Sequence, residues 1–244
     1  MLKDDRLVHL SLAELAAIGT WARERPAGRQ PGLVLIGGWA VHAYNPWYGS
    51  RDIDFIGTRR DRKSLLQWLR DDRGFVPDRR PGAGVQAVEK QTPAGSVIVE
   101  FLRPEAQFMF EGTTARFPPR TALSSIVWKT VEGVHIPVPS HEILFLLKAK
   151  AAWDRGYRLD HGTSFDPAYE RDKVAKDAGD LLALLDVEKV VVPDFALMAR
   201  QMQPYRFVLE LFQKERLIRD GAERYGIDEE TATEWFNRLL MLLP

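Results

Sequence analysis

The stretch GGWAVHAYNPWYGSRDIDF, residues 37–55, decides how this chain is read. A glycine pair, Gly37-Gly38, follows the apolar run LVLI at 33–36. Two aspartates, Asp52 and Asp54, sit one residue apart after a spacer of thirteen residues, 39–51. A short apolar run ending in glycine predicts a buried strand that turns into a helix at WAVHAY, and Asn45-Pro46 breaks that helix. SRDIDFIG, residues 50–57, predicts a second strand. Alternate side chains of a strand share a face, so Asp52 and Asp54 point one way while Ile53 and Phe55 point into the core. Neighbouring like charges repel. A divalent cation is the simplest compensation, and Mg²⁺ takes carboxylate oxygens while leaving positions for water and phosphate. Backbone N–H groups at a glycine turn opening a helix form an anion cradle. Gly37 and Gly38 with Asp52 and Asp54 thus supply the two halves of a nucleoside triphosphate site.

A third carboxylate is expected from Glu100. VQAVEKQ, a Thr92-Pro93-Ala94-Gly95 turn and SVIVEFL predict a hairpin. In its second strand Val97, Val99 and Phe101 face one way, and Ile98, Glu100 and Leu102 the other. A lone glutamate in so apolar a strand is costly to bury unpaired. If this strand lies beside that of Asp52 and Asp54, the three carboxylates suit two metal ions about 3.5–4 Å apart. Ser50 shares the aspartate face and is a candidate phosphate contact, with an ordinary strand-start serine as the competing reading. Arg51 falls on the opposite face.

The rest of the chain sorts by period. Ser11 to Glu14 reads as a capping box opening a helix that runs to about Trp21, and Arg23–Gly32 reads as a loop. RKSLLQWLRDD is an amphipathic helix with Leu65, Leu66, Trp68 and Leu69 on its apolar side. SIVWKTVEGVHIPVP predicts a hairpin turning at Glu132-Gly133. From Ser140 the pattern is helical: HEILFLLKAKAAWDRG, AYERDKVAKDAGDLLALL, PDFALMARQM, YRFVLELFQKERLIRDGAERYG and DEETATEWFNRLLMLL. The expected fold class is α+β, a mixed sheet with flanking helices over residues 1–139 followed by a helical bundle over 140–244.

These residues resemble the nucleotidyltransferase superfamily, of DNA polymerase beta-like fold, whose signature is a glycine-containing turn, a spacer and Asp-x-Asp. They look most like its AbiEii-type branch. Many members carry serine where this chain has Gly38, so phosphate contact there falls to backbone, and the spacer is long. VHIPVPSHEILFLLKAKAAWDRG resembles the branch's lysine helix, with Lys148 the best match and Arg155 seven residues on. AKDAGDLLALL resembles its Lys-Asp and Asp-Leu element, carried here by Lys176, Asp177 and Asp180. The likeness spans roughly residues 33–185. It implies a magnesium-dependent transfer of NMP from an NTP to an acceptor. Asp52, Asp54 and Glu100 would hold two Mg²⁺, Gly37 and Gly38 would cradle the triphosphate, Lys148 would neutralise it, and Asp177 would orient or pair within the site. Glu100 is also a candidate to assist deprotonation of the acceptor. The branch further implies a toxin with an antitoxin partner and tRNA as acceptor; transfer to a small hydroxylated molecule such as an aminoglycoside, and a catalytically silent nucleotide-binding module, are the alternatives. Spacing alone does not choose between Lys148 and Lys150, while the apolar stripe of Leu144, Leu147 and Ala151 places Lys148 towards packed structure.

Composition bounds these readings. The chain has 244 residues, 34 Lys and Arg against 34 Asp and Glu, and no cysteine. Zero net charge argues against a protein that coats nucleic acid. The lack of cysteine excludes disulfides, thiolate metal sites and cysteine nucleophiles. The first twenty residues lack a signal-peptide core and no apolar run approaches membrane-spanning length, so a cytoplasmic location is expected. Residues 59–80 carry eight Lys or Arg and four Asp, a local excess of +4 that reads first as a solvated helix surface, with a nucleic-acid groove or a triphosphate contact as the competing readings. Trp39 and Trp47 are candidates for stacking on a base, or for the core. His141-Glu142 is not a zinc motif, and His42, His135 and His161 lack ligand spacing. The RLDHGTSFDPAY segment, 158–169, is long for a helix connection and is a candidate cleft cover.

Overall fold

The computed structural model describes residues 5–24, 31–78, 85–189 and 194–241. It is α+β and divides into two compact units. One comprises residues 1–107 and 118–140, the other 108–117 and 141–244.

In the first unit, helix α1 (Arg6–Arg23) precedes β1 (Leu33–Ile36), which feeds directly into α2 (Gly37–Tyr44). Then come β2 (Asp52–Gly57), α3 (Arg59–Arg73), β3 (Val76–Pro77), β4 (Val85–Thr92) and β5 (Gly95–Leu102). The five strands form one mixed sheet in the order β1-β2-β5-β4-β3. Only β2 and β5 run parallel. The apolar alternation predicted for the two central strands is present: Ile53, Phe55, Val97, Val99 and Phe101 are essentially inaccessible to solvent. Phe55 and Phe101, paired in register, stack at 6.0 Å between centroids.

Helix α1 starts earlier than the Ser11-to-Glu14 box predicts. Asp5 is its N-cap and accepts the Leu7 N–H at 2.9 Å. Ser11 and Glu14 lie in the helix interior and are buried. The Ser11 hydroxyl accepts from Trp39 Nε1 at 2.9 Å, and Glu14 accepts from Arg73 Nε at 3.1 Å and Lys90 Nζ at 2.8 Å. Most of the loop predicted over 23–32 lies outside the described residues. In α3, Thr58 caps the N-terminus and Gly74 ends the helix in the left-handed conformation, while Leu65, Leu66 and Leu69 fill the core.

The chain then leaves this unit for the ribbon of β6 (Phe108–Met109) and β7 (Arg116–Phe117), which belongs to the second unit and which the sequence reading does not foresee. It returns for the short helix α4 (Thr121–Ser124) and for β8 (Ile126–Val131) and β9 (Val134–Pro139). The predicted Glu132-Gly133 turn joins these two strands. Both residues have positive φ, the two-residue turn that matches strand twist.

The helical part of the second unit holds α5 (His141–Asp160), α6 (Pro167–Leu185), α7 (Phe195–Met202), a 3-10 segment (Gln203–Gln213), α8 (Glu215–Tyr225) and α9 (Glu229–Leu240). The sequence reading makes 205–226 one helix. The structure breaks it at Lys214, which is extended, and Tyr205 is non-helical. Periodicity survives the break because Val208, Leu211, Phe212, Leu217 and Ile218 are all buried. Among the described residues no helix is long and apolar enough to cross a membrane.

Candidate functional site

The site begins with register. Ile36, the last residue of β1, pairs with Asp54 of β2, and Asp54 pairs in turn with Glu100 of β5. Residues directly opposite in a sheet share a face, and so do residues two apart along a strand. Asp52, Asp54 and Glu100 therefore lie on one face of the two central strands, with Gly37 at the end of the neighbouring one. All three carboxylate residues are half-buried, while their flanking neighbours Ile53, Val99 and Phe101 are buried.

Gly37 is half-buried with φ +69°, a conformation that side chains oppose. A Cβ built there would collide with the Asp54 carboxylate. Glycine at 37 thus serves twice, by turning strand into helix without a connecting loop and by letting the backbone approach Asp54. Helix α2 has no side-chain cap of its own, since its N-cap residue is Ile36. Gly38 is buried one residue on.

The donor set suits a hard cation in kind: carboxylates only, on adjacent strands, beside a glycine turn. Among the described residues, however, no three His, Asp or Glu side chains close on a common point as a finished metal cage would. The fit therefore rests on backbone register and donor chemistry.

The flanking candidates separate. Ser50 is buried ahead of β2. Arg51 lies outside the strand and pairs with Asp5 at 2.6 Å, tying the entry of β2 to the cap of α1. Trp39 is fully buried, donates to Ser11 and meets His42 edge-on, so the core use prevails over base stacking. Trp47 is half-buried beside Tyr48. His42 is buried, with Nε2 3.3 Å from Glu132 Oε1. Burial holds its pKa below the ordinary histidine value despite Glu132.

Lys148 and Asp177 belong to the helical unit and meet there. Lys148 Nζ lies 2.6 Å from Asp180 Oδ2 and 3.3 Å from Asp177 Oδ1. Arg155 also pairs with Asp177, and Lys176 reaches Asp180 at 3.2 Å. Burial opposes charge on Lys148, but Asp180 and Asp177 outweigh it and hold the ammonium above the ordinary lysine range. For Asp177, burial is likewise overcome, by Arg155 and then Lys148, and its carboxyl is held low. Lys176 goes the other way: burial prevails and lowers its pKa. Arg155 and Lys176, both half-buried, thus join the buried Lys148, Asp177 and Asp180 in one network. Lys150 is engaged elsewhere, by Asp154 and the Met109 carbonyl and over the Phe110 ring. In the 158–169 segment, Phe165 is wholly exposed and the Tyr157 and His161 rings stack.

No family model matches the chain, and no curated protein sequence matches it. A solved structure described as an antigenic nucleotidyltransferase-like protein from Paracoccidioides brasiliensis is similar at 16% identity and a TM-score of 0.48, over 96% of this chain and 99% of that one. A likeness of that degree assigns neither family nor activity.

Proposed function

We propose that this protein is a magnesium-dependent nucleotidyltransferase that moves NMP from an NTP to an acceptor. The observation that carries the reading is the register Ile36–Asp54–Glu100 across three neighbouring strands, with Gly37 directly after Ile36 and Asp52 on the face of Asp54. Three acidic residues on one face favour a bound cation, and the glycine turn beside them favours a bound phosphate.

In this reading Asp52, Asp54 and Glu100 hold Mg²⁺, which when bound offsets the charge of the triphosphate and of the departing pyrophosphate. Gly37 and Gly38 offer backbone N–H groups to the phosphates. Glu100 would also assist deprotonation of the attacking acceptor hydroxyl. Ser50 is a further phosphate contact. The role expected of Lys148 toward the triphosphate, with Asp177 orienting it, requires the ammonium to be shared with Asp177 and Asp180. For the acceptor, tRNA, as in an AbiEii-like toxin opposed by an antitoxin, is the leading reading and a small hydroxylated molecule the second.

The test is transfer from α-³²P-labelled ATP, GTP, CTP and UTP with Mg²⁺, in parallel on total tRNA, on an aminoglycoside panel and on the protein alone. Label on any acceptor that disappears in Asp52→Ala with Asp54→Ala supports the reading. Label unchanged in that double variant sinks it. NTP binding with no pyrophosphate release for any acceptor points instead to a silent nucleotide-binding module.

A further inference from the structure

One buried charge in the sheet unit has two donors without a partner among the described residues. Arg62, in the first turns of α3, is 7% exposed, yet no acceptor among the described residues reaches its Nε or Nη1. The other buried charged side chains behave differently. Glu14 has Arg73 and Lys90, Lys148 has two aspartates, Lys150 has Asp154, and Asp186 has Tyr225 and Lys189. A guanidinium presents five donors in a fixed fork and stays charged in proteins. Leaving it unpaired out of water is among the costlier arrangements a fold can hold.

The charges acting on Arg62 are Glu105, Arg103 and Arg59. Burial pulls the Arg62 pKa below the ordinary arginine value; Glu105 opposes this, and Arg103 and Arg59 add to it. Both flanking arginines, and Glu105, are exposed. Two further guanidinium groups and one carboxylate act on the buried fork, an excess of two positive charges when Arg62 is included. The place in the fold is defined by register. Arg62 lies five residues after Gly57, the last residue of β2, in the first turn of α3, and Arg103 follows Leu102, which pairs with Ile56 near that same end. From Asp54 to the Thr58 cap is four residues of extended chain, about 13 Å, so this group stands at the other end of β2 from the acidic face.

We propose that Arg62, with Arg59 and Arg103, forms a phosphate-binding site at this end of the sheet unit. A tetrahedral oxyanion matches the fork of Arg62 in geometry and charge, and two exposed arginines can close on it from solvent. The shared ligand chemistry is a phosphate group, free or in a polynucleotide backbone. The proposal does not depend on the transferase reading, since none of its residues belongs to the acidic face or the glycine turn.

The experiment is ¹H–¹⁵N NMR of the arginine Nε–H signals in the full chain without Mg²⁺. Sodium phosphate is titrated against chloride at constant ionic strength. A single-stranded oligonucleotide at equal phosphate concentration forms the second arm. The expected result is a saturable shift of the Arg62 Nε–H signal. Arg103→Ala is expected to weaken it by about tenfold, the loss of one charged hydrogen-bonding partner, while Asp52→Asn with Asp54→Asn leaves it unchanged. Tighter response to the oligonucleotide assigns the site to a nucleic-acid backbone, and tighter response to free phosphate assigns it to a small anion. An Arg62 signal unmoved in both arms overturns the proposal. So does a folded Arg62→Met variant whose thermal stabilisation by phosphate equals that of the parent. The wild-type titration decides the matter even if Arg62→Met fails to fold.

Discussion

The two units arrange their acidic residues differently. In the helical unit, Lys148, Lys176 and Arg155 interleave with Asp177 and Asp180, and both aspartates are met by cations. In the sheet unit, Asp52, Asp54 and Glu100 gather on one face of adjacent strands with the same sign. The first arrangement is what burial demands, since an isolated charge is expensive away from water. The second places its carboxylates at half-buried positions, where solvent lowers the cost of like charge. In the helical cluster, opposite charges on facing helices tie the fold together; on the sheet, acidic residues share one face of two paired strands.

The contrast breaks or sharpens under substitution. The largest expected effect is on chemistry. Asp54→Asn should lower NMP transfer by about a thousandfold, a loss of roughly 4 kcal/mol of charge stabilisation. Its thermal stability should hold or rise, because a like-charge pair with Glu100 is relieved. Parallel transfer assays and melting curves check both halves; a lowered melting temperature with transfer intact would reverse the assignment. Next comes Lys148→Ala, expected to cost about 3 kcal/mol because Asp177 and Asp180 lose their shared cation in the interior. Urea unfolding measures it, and a loss below about 1 kcal/mol would place the cluster with ordinary surface pairs.

Gly37→Ala comes third. The left-handed backbone alone should cost about 1–2 kcal/mol, and the new methyl group must displace the Asp54 carboxylate. Transfer should fall with it, whereas Gly226→Ala, also at positive φ but with open space where its Cβ would stand, should lose stability only. The smallest effect concerns His42. Its folded pKa lies below its unfolded one, so its contribution is complete above the ordinary histidine pKa and is lost as pH falls through the folded value. Melting temperature followed from pH 7 to 5 should decline, and His42→Gln should flatten that decline.

Much of this architecture is legible in the residues, and the remainder is hidden for identifiable reasons. The period-two pattern around Ile53 and Phe55 announces both the strand and the shared face of Asp52 and Asp54. The pattern Val97, Val99, Phe101 does the same for Glu100. What neighbouring strand each would meet is not local information, and the Asp54–Glu100 pairing needed the sheet order. The Ser11-to-Glu14 box misleads because both side chains serve partners far along the chain, Trp39, Arg73 and Lys90, rather than their own helix end. The ribbon at 108–117 is invisible because its strands are two residues long. Arg62 did leave a trace: it falls three, four and seven residues before Leu65, Leu66 and Leu69, on the apolar stripe where an arginine is out of place.

That ribbon bears on how the protein is made. The backbone passes between the two units three times, after Gln107, Phe117 and Ser140. Phe110 packs against Tyr205 and Phe207, roughly a hundred residues downstream. A ribosome working at about 5–20 residues per second emits the ribbon at least several seconds before those aromatic rings emerge. Until then Phe110 and Phe117 have no such cover. Synthesis of residues 141–244 alone would lack the ribbon altogether, so a gene divided at Ser140 should yield a helical fragment prone to aggregation.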